Sequence, residues 1–246
     1  MTTTNSKVSR VQPVFGWLKT QGPGDWPQRL VELAEGLNHK PQCGAVIRVA
    51  FDPEEKVPPT AERLAWMIRN VERIVPQDGK LWREPLRRMA NQEKTASALA
   101  LLDAGQTQHL PRGLTLEGCT HADCLIECEK ALIWIEGKRF DLISPSAKWD
   151  VMRDQLSRNL ESAWSLARKS RKEKDYCLII CHEYPLKYHE DLLVRGYRAG
   201  TWVAGWPHIP GELRHEFGQR IGTVTWRKIA AEWPAIQELS ELADLV

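Results

Sequence analysis

One stretch limits what this chain can fold into more than any other, residues 149 to 182. Trp149, Met152, Leu156, Leu160, Ala163 and Ala167 recur at spacings of three and four, which lines them up on one stripe of an α-helix. The run that follows, Tyr176 to His182 (YCLIICH), shows no polar alternation. A strand of that kind must be covered on both faces, as in sheets flanked by helices. Upstream, a helix over Leu81 to Asp103 carries Leu86, Met89, Ala96 and Leu99, and residues 114–128 and 131–139 read as strands. The order helix, strands, helix, strand predicts an α/β arrangement of two or three layers around a mixed sheet.

The flanks are less regular. Asp25 is placed to cap a short helix that Gly36 stops, and residues 43–51 (CGAVIRVAF) read as a strand. Thr60 is a suitable N-cap for a helix carrying Leu64, Met67, Val71 and Ile74, closed by Pro76. Beyond residue 185, Gly205, Pro207, Pro210 and Gly211 mark a loop-rich piece, with short helices near Thr225–Glu232 and after Pro234. The reading is thus a lead-in with helices and one strand (1–80), a core (81–184) and a helical, loop-rich C-terminal appendage (185–246).

With 42% hydrophobic and 27% charged residues in 246, the chain can bury a core without disulfides or a structural metal. No apolar run reaches the roughly 20 residues of a membrane span. The segment MTTTNSKVSR lacks the apolar stretch of a secretory signal. The expectation is a cytoplasmic protein without a membrane partner, and six cysteines, mostly in apolar stretches, agree with a reducing compartment. A net charge of +2 does not by itself argue for nucleic-acid binding. Arg168, Lys169, Arg171, Lys172 and Lys174 do concentrate at the end of the amphipathic helix. They suit a helix C-terminal dipole as well as a phosphate backbone.

The chemistry concentrates in EGCTHADCLIECEKALIWIEGKRFD, Glu117 to Asp141. If Glu129 and Lys130 form a two-residue hairpin loop, Cys128 faces Ala131 and Asp123 falls opposite Glu136. Directly opposed residues of an antiparallel pair share a face, with Cβ atoms about 4.5–5.5 Å apart. Lys138 follows Glu136 by two and shares that face. Two carboxylates bind a hard cation such as Mg²⁺ through oxygen, and a lysine beside them can position water and stabilise charge on a phosphate. The same trio also fits a surface salt-bridge ladder.

The string ADCLIECEKALIWIEGKR resembles the signature of the PD-(D/E)XK nuclease superfamily: an acid (Asp123), a short hairpin, then Glu136-Gly137-Lys138 on the next strand. Ala122 stands where the motif name has proline. The run Glu117-Gly118 with Thr120 and Asp123 resembles a variant within that superfamily. The resemblance covers roughly residues 81 to 182 and implies a restriction-endonuclease-like core of helix, three strands, helix and strand. It implies hydrolysis of phosphodiester bonds of nucleic acid, DNA more than RNA, with Mg²⁺ or Mn²⁺. It also implies metal binding by Asp123, Glu136 and the Gly137 carbonyl, with Lys138 serving the attacking water. Gln155, in Gln155-Leu156-Ser157-Arg158-Asn159, matches a glutamine that contacts the site in some branches. An additional acid is expected from Glu84, Glu93 or Glu117, and substrate contacts from Arg139, Arg158, Lys169 and Lys172. The alternative is a catalytically inactive module on the same fold that binds nucleic acid or protein. A zinc site from Cys119, His121, Cys124 and Cys128 is disfavoured, because strand alternation sends Cys119 and His121 one way and the other two the opposite way.

Overall fold

Both faces of the central strands are covered, and the layers follow from that. The computed structural model describes residues 6–75, 93–111, 114, 116–139, 142–147, 150–183, 185–201 and 205–239. Five strands make one sheet: β1 (Val46–Ala50), β4 (Cys124–Cys128), β5 (Ala131–Lys138), β6 (Asp175–His182) and β7 (Ile221–Thr225), hydrogen-bonded in that order. β1 pairs antiparallel with β4 and β4 antiparallel with β5, whereas β5, β6 and β7 are parallel. A second, two-stranded sheet pairs β2 (Glu55–Val57) with β3 (Thr120–Ala122).

Alternation along the strands divides the core. Cys124, Ile126, Ile133, Ile135, Cys177 and Ile179 pack on one face with α1 (Gln12–Thr20), α2 (Trp26–Leu33) and the late helix α8 (Trp226–Glu232). Leu125, Leu132, Trp134, Leu178 and Ile180 pack on the other with α5 (Gln155–Lys169), α6 (Tyr188–Arg198) and α7 (Gly211–Gln219). The result is a three-layer α/β structure around a mixed sheet. Among the described residues no helix is long and apolar enough to cross a membrane.

The sheet takes strands from all three stretches into which the sequence divides. β1 comes from the lead-in and β7 from the C-terminal piece, which carries no strand in the sequence reading. β7 is short and Gly222 interrupts its pattern; the carbon that a side chain there would add lies 2.8 Å from the Ala34 methyl. Between β1 and β4 the chain makes a small unit of its own, in which α3 (Ala61–Arg69) packs on α4 (Glu93–Asp103). Thr60 caps α3 by accepting the Arg63 N–H. The Leu81 part of the expected long helix lies outside the described residues. Residues 116–119 are irregular rather than extended, so the strand expected over 114–128 is two short ones.

The expected stripe from Trp149 shortens at its start. Asp154 accepts the Ser157 N–H at 2.8 Å and begins α5 there, which leaves Met152 outside the helix and exposed. A buried ionic network then ties the inserted unit to α5. Glu117 accepts from Arg63, Arg153 and Arg158 at 3.0, 3.3 and 3.2 Å. Arg63 also reaches Asp150 at 2.8 Å, and Arg153 reaches Glu161 at 2.6 Å. Burial works against ionisation of Glu161, but the Arg153 charge, His208 and Thr60 overcome it and hold the carboxyl well below its ordinary range.

Candidate active site

The hairpin register sets the site. Cys124 pairs with Ile135, Leu125 with Trp134 and Glu127 with Leu132, so the turn is the two residues Glu129 and Lys130. Extended by one pair, the register brings Asp123 opposite Glu136, as the sequence reading expects. Asp123 itself sits in a bend between β3 and β4. Its Oδ2 accepts the Gly137 N–H at 2.8 Å. Burial, then the charge of Glu136, push the Asp123 carboxyl up to about 8, against the Gly137 N–H and Lys138.

Glu136 is 2% exposed and Lys138 8%, at the C-terminal end of β5. The Lys138 ammonium lies 2.9 Å from Glu136 Oε1 and donates to Gln155 Oε1 at 3.1 Å. Gln155, the first residue of α5, donates its amide to Glu136 Oε1 at 2.7 Å and accepts the Ser144 N–H at 3.1 Å. Asn159, one turn later, donates to Glu136 Oε2 at 2.8 Å. The N-terminus of α5 thus faces the Glu136 carboxylate with two amides, on the side where the helix dipole favours negative charge.

Three other parts of the chain close around the Glu136–Lys138 peptides. Ser6 donates its hydroxyl to the Gly137 carbonyl at 2.9 Å, and the Trp226 indole N–H donates to the Lys138 carbonyl at 3.0 Å. A side-chain carbon on Gly137 would lie 2.3 Å from Val11 Cγ2, so only glycine allows the N-terminal turn Lys7–Val11 to pack here. Pairing of Glu55 with Ala122 carries Glu54 towards Asp123, and Glu54 accepts from Lys7 and His121, each at 2.9 Å. Burial opposes ionisation of Glu54, but Lys7 and His121 outweigh it and lower the carboxyl below its usual range.

The structure therefore brings together Asp123, Glu136, Gly137, Lys138 and Gln155. The other described candidates make different contacts, and among them Arg139 alone directly adjoins the site. Glu117 is held in the arginine network, and Arg158 is bound there with it. Glu93 is exposed at the start of α4, and Glu84 lies outside the described residues. Arg139 lies 3.2 Å from Glu183, which also holds Arg10 at 2.8 Å. Lys169 ends α5, about 21 Å along the helix axis from Gln155, and Lys172 lies beyond it. Cys124 and Cys128 are buried in the core while Cys119 and His121 are exposed, which separates the four side chains of the zinc alternative. Among the described residues no three His, Cys, Asp or Glu side chains group to hold a metal ion; Asp123 and Glu136 are a pair.

The sequence reading gives no role to Asn159, Ser6, Trp226 or Glu54. Asn159 had a signal: four residues after Gln155, it shares that helix face. Ser6, Trp226 and Glu54 reach the hairpin only through tertiary packing. No protein family, curated protein or solved structure matches the chain.

Proposed function

We propose that the chain is a divalent-metal-dependent nuclease that hydrolyses phosphodiester bonds of nucleic acid, DNA more than RNA, in a cytoplasmic setting. The observation that carries the reading is the convergence of Asp123, Glu136 and Lys138 at the end of β5. The element order supports it. With helix α2 and strand β1 of the lead-in taking the place of the expected helix over residues 81–103, the order α2, β1, β4, β5, α5 and β6 is similar to the core that the PD-(D/E)XK resemblance implies, the inserted unit lying between the first two strands. Six unpaired cysteines agree with a reducing compartment.

The donor set suits a hard cation. Two carboxylates supply oxygen ligands, and Mg²⁺ usually keeps several waters beside one or two carboxylates. The Asp123 carboxyl is raised first by burial and then by the Glu136 charge, and a bound cation would offset both. Asp123 and Glu136 would hold the ion, which polarises a phosphoryl oxygen and acidifies bound water. Lys138, held by Glu136 and Gln155, orients water and offsets charge growing on the phosphate. Gln155 keeps that ammonium and the Glu136 carboxylate at a fixed separation. The Gly137 carbonyl accepts from Ser6 and keeps a second lone pair with which it would join the ion.

Cleavage should require Mg²⁺ or Mn²⁺ and stop in chelator. Lys138→Ala should abolish turnover while metal binding persists, whereas Asp123→Ala and Glu136→Ala should lose both. Wild-type turnover by Lys138→Ala, or full activity after metal is stripped, rejects the reading. One observation favours a non-catalytic module instead: Glu136 is already hydrogen-bonded by Lys138, Gln155 and Asn159. No cleavage of single- or double-stranded DNA or RNA in Mn²⁺, with binding retained, would select it.

A further inference from the structure

We infer that Asn159 is a positioning residue that sets the cation affinity of the site by fixing the Glu136 carboxylate; the inference rests on the proposed metal-dependent reading. The two oxygens of Glu136 are held differently. Oε1 faces the Lys138 ammonium at 2.9 Å and the Gln155 amide at 2.7 Å. Oε2 has the Asn159 amide, at 2.8 Å. Asn159 is 1% exposed, and it sits inside α5 flanked by Leu156 and Leu160, which anchor that helix in the core. Its backbone is therefore held by packing, and its amide is presented to the carboxylate at a fixed place.

The chemistry of the donor matters. A carboxylate buried beside a lysine alone would turn towards it and form a closed ion pair. A neutral amide on the second oxygen resists that rotation without contributing positive charge, so the negative charge stays available to a cation. A carboxylate has about four lone-pair positions, and three donors leave one open. Gln155 and Asn159, one turn apart on one helix face, thus clamp the carboxylate plane from its two ends. Residues that orient a metal ligand in this way typically alter metal affinity or activity by about 10–100-fold when replaced.

The test uses the full chain with Asn159→Ala and Asn159→Ser, the second keeping a donor too short to reach Oε2. Mn²⁺ affinity is measured directly by titration calorimetry, and cleavage is measured across a Mn²⁺ series. Both variants should bind Mn²⁺ about 10–100-fold more weakly. Their turnover should return to within a few-fold of wild type at saturating Mn²⁺, because orientation and not proton chemistry is lost. Lys138→Ala, by contrast, should stay inactive at every Mn²⁺ concentration. Unchanged Mn²⁺ affinity in folded Asn159 variants overturns the inference while leaving the nuclease reading intact, as does a loss of turnover that saturating Mn²⁺ does not restore. Wild-type chain that neither binds Mn²⁺ nor cleaves overturns the reading beneath it. If Asn159→Ala does not fold, Asn159→Ser carries the comparison.

Discussion

At the scale of single residues, the Asp123–Glu136 pair has a consequence for folding that needs no substrate. The Asp123 carboxyl is raised to about 8, first by burial and then by Glu136, whereas in an unfolded chain it titrates near ~3.9. Between those values the folded chain holds a proton that the unfolded chain does not. Stability therefore falls as pH rises from about 4 to about 8 and is then flat with respect to this group. Asp123→Asn should lack this component of the slope and should be more stable than wild type above pH 8, measured as denaturation midpoints across pH 5–9. An unaltered slope in the variant would show that the carboxyl is not raised. Much of this pair is legible in the sequence, because a two-residue turn fixes every facing pair of a hairpin. The roles of Ser6, Glu54 and Trp226 are not legible, since each reaches the hairpin from a distant part of the chain and no local period records such contacts.

At the scale of elements, the N-terminus of α5 does the most to place side chains at the site. Asp154 accepts the Ser157 N–H through Oδ1 and the Tyr197 hydroxyl through Oδ2, which fixes where the helix begins and therefore where Gln155 and Asn159 point. Asp154→Ala removes a cap, at a cost of about 1 kcal/mol. It also removes the carboxylate acceptor of the buried Tyr197 hydroxyl, at a further ~1–3 kcal/mol. Chemical denaturation should show a loss of about 2–4 kcal/mol, and Asp154→Ala with Tyr197→Phe should recover part of it. A loss below ~0.5 kcal/mol would mean that packing alone positions the helix. The apolar stripe pointed to a helix starting near Trp149. Period alone could not find the true start, because Met152 continues the pattern in sequence while the Asp154 cap breaks it in space.

At the scale of the whole molecule, the ionic network among Arg63, Glu117, Asp150, Arg153 and Glu161 fastens the inserted unit to α5. Removing one member leaves buried charge with fewer partners away from water. Arg153→Ala should cost about 3–5 kcal/mol, read from denaturation midpoints, and a near-neutral change would mean that water replaces the guanidinium. The α/β layering is legible from the order of helices and strands. That β1 and β7 belong to the main sheet is not, because a strand's pattern tells which faces are covered and not which strand lies alongside.

The place where the inserted unit leaves the sheet also bears on how such a chain changes over generations. Ala50 and Leu125 are paired neighbours on β1 and β4, so the stretch between them departs and returns at adjacent points. Closing a longer loop between fixed ends is inexpensive, about 0.6 kcal/mol for each doubling of length. The sheet therefore tolerates a module of almost any size at that junction, or a short reverse turn in its place. What resists exchange is the set of charges left on the host side: a graft without the equivalents of Arg63 and Glu117 would leave Asp150 and Arg153 without those partners. Descendants of this chain that trade the module should keep an acid at position 123 and carry an uncharged residue at position 150, while Arg153 and Glu161 stay paired with one another.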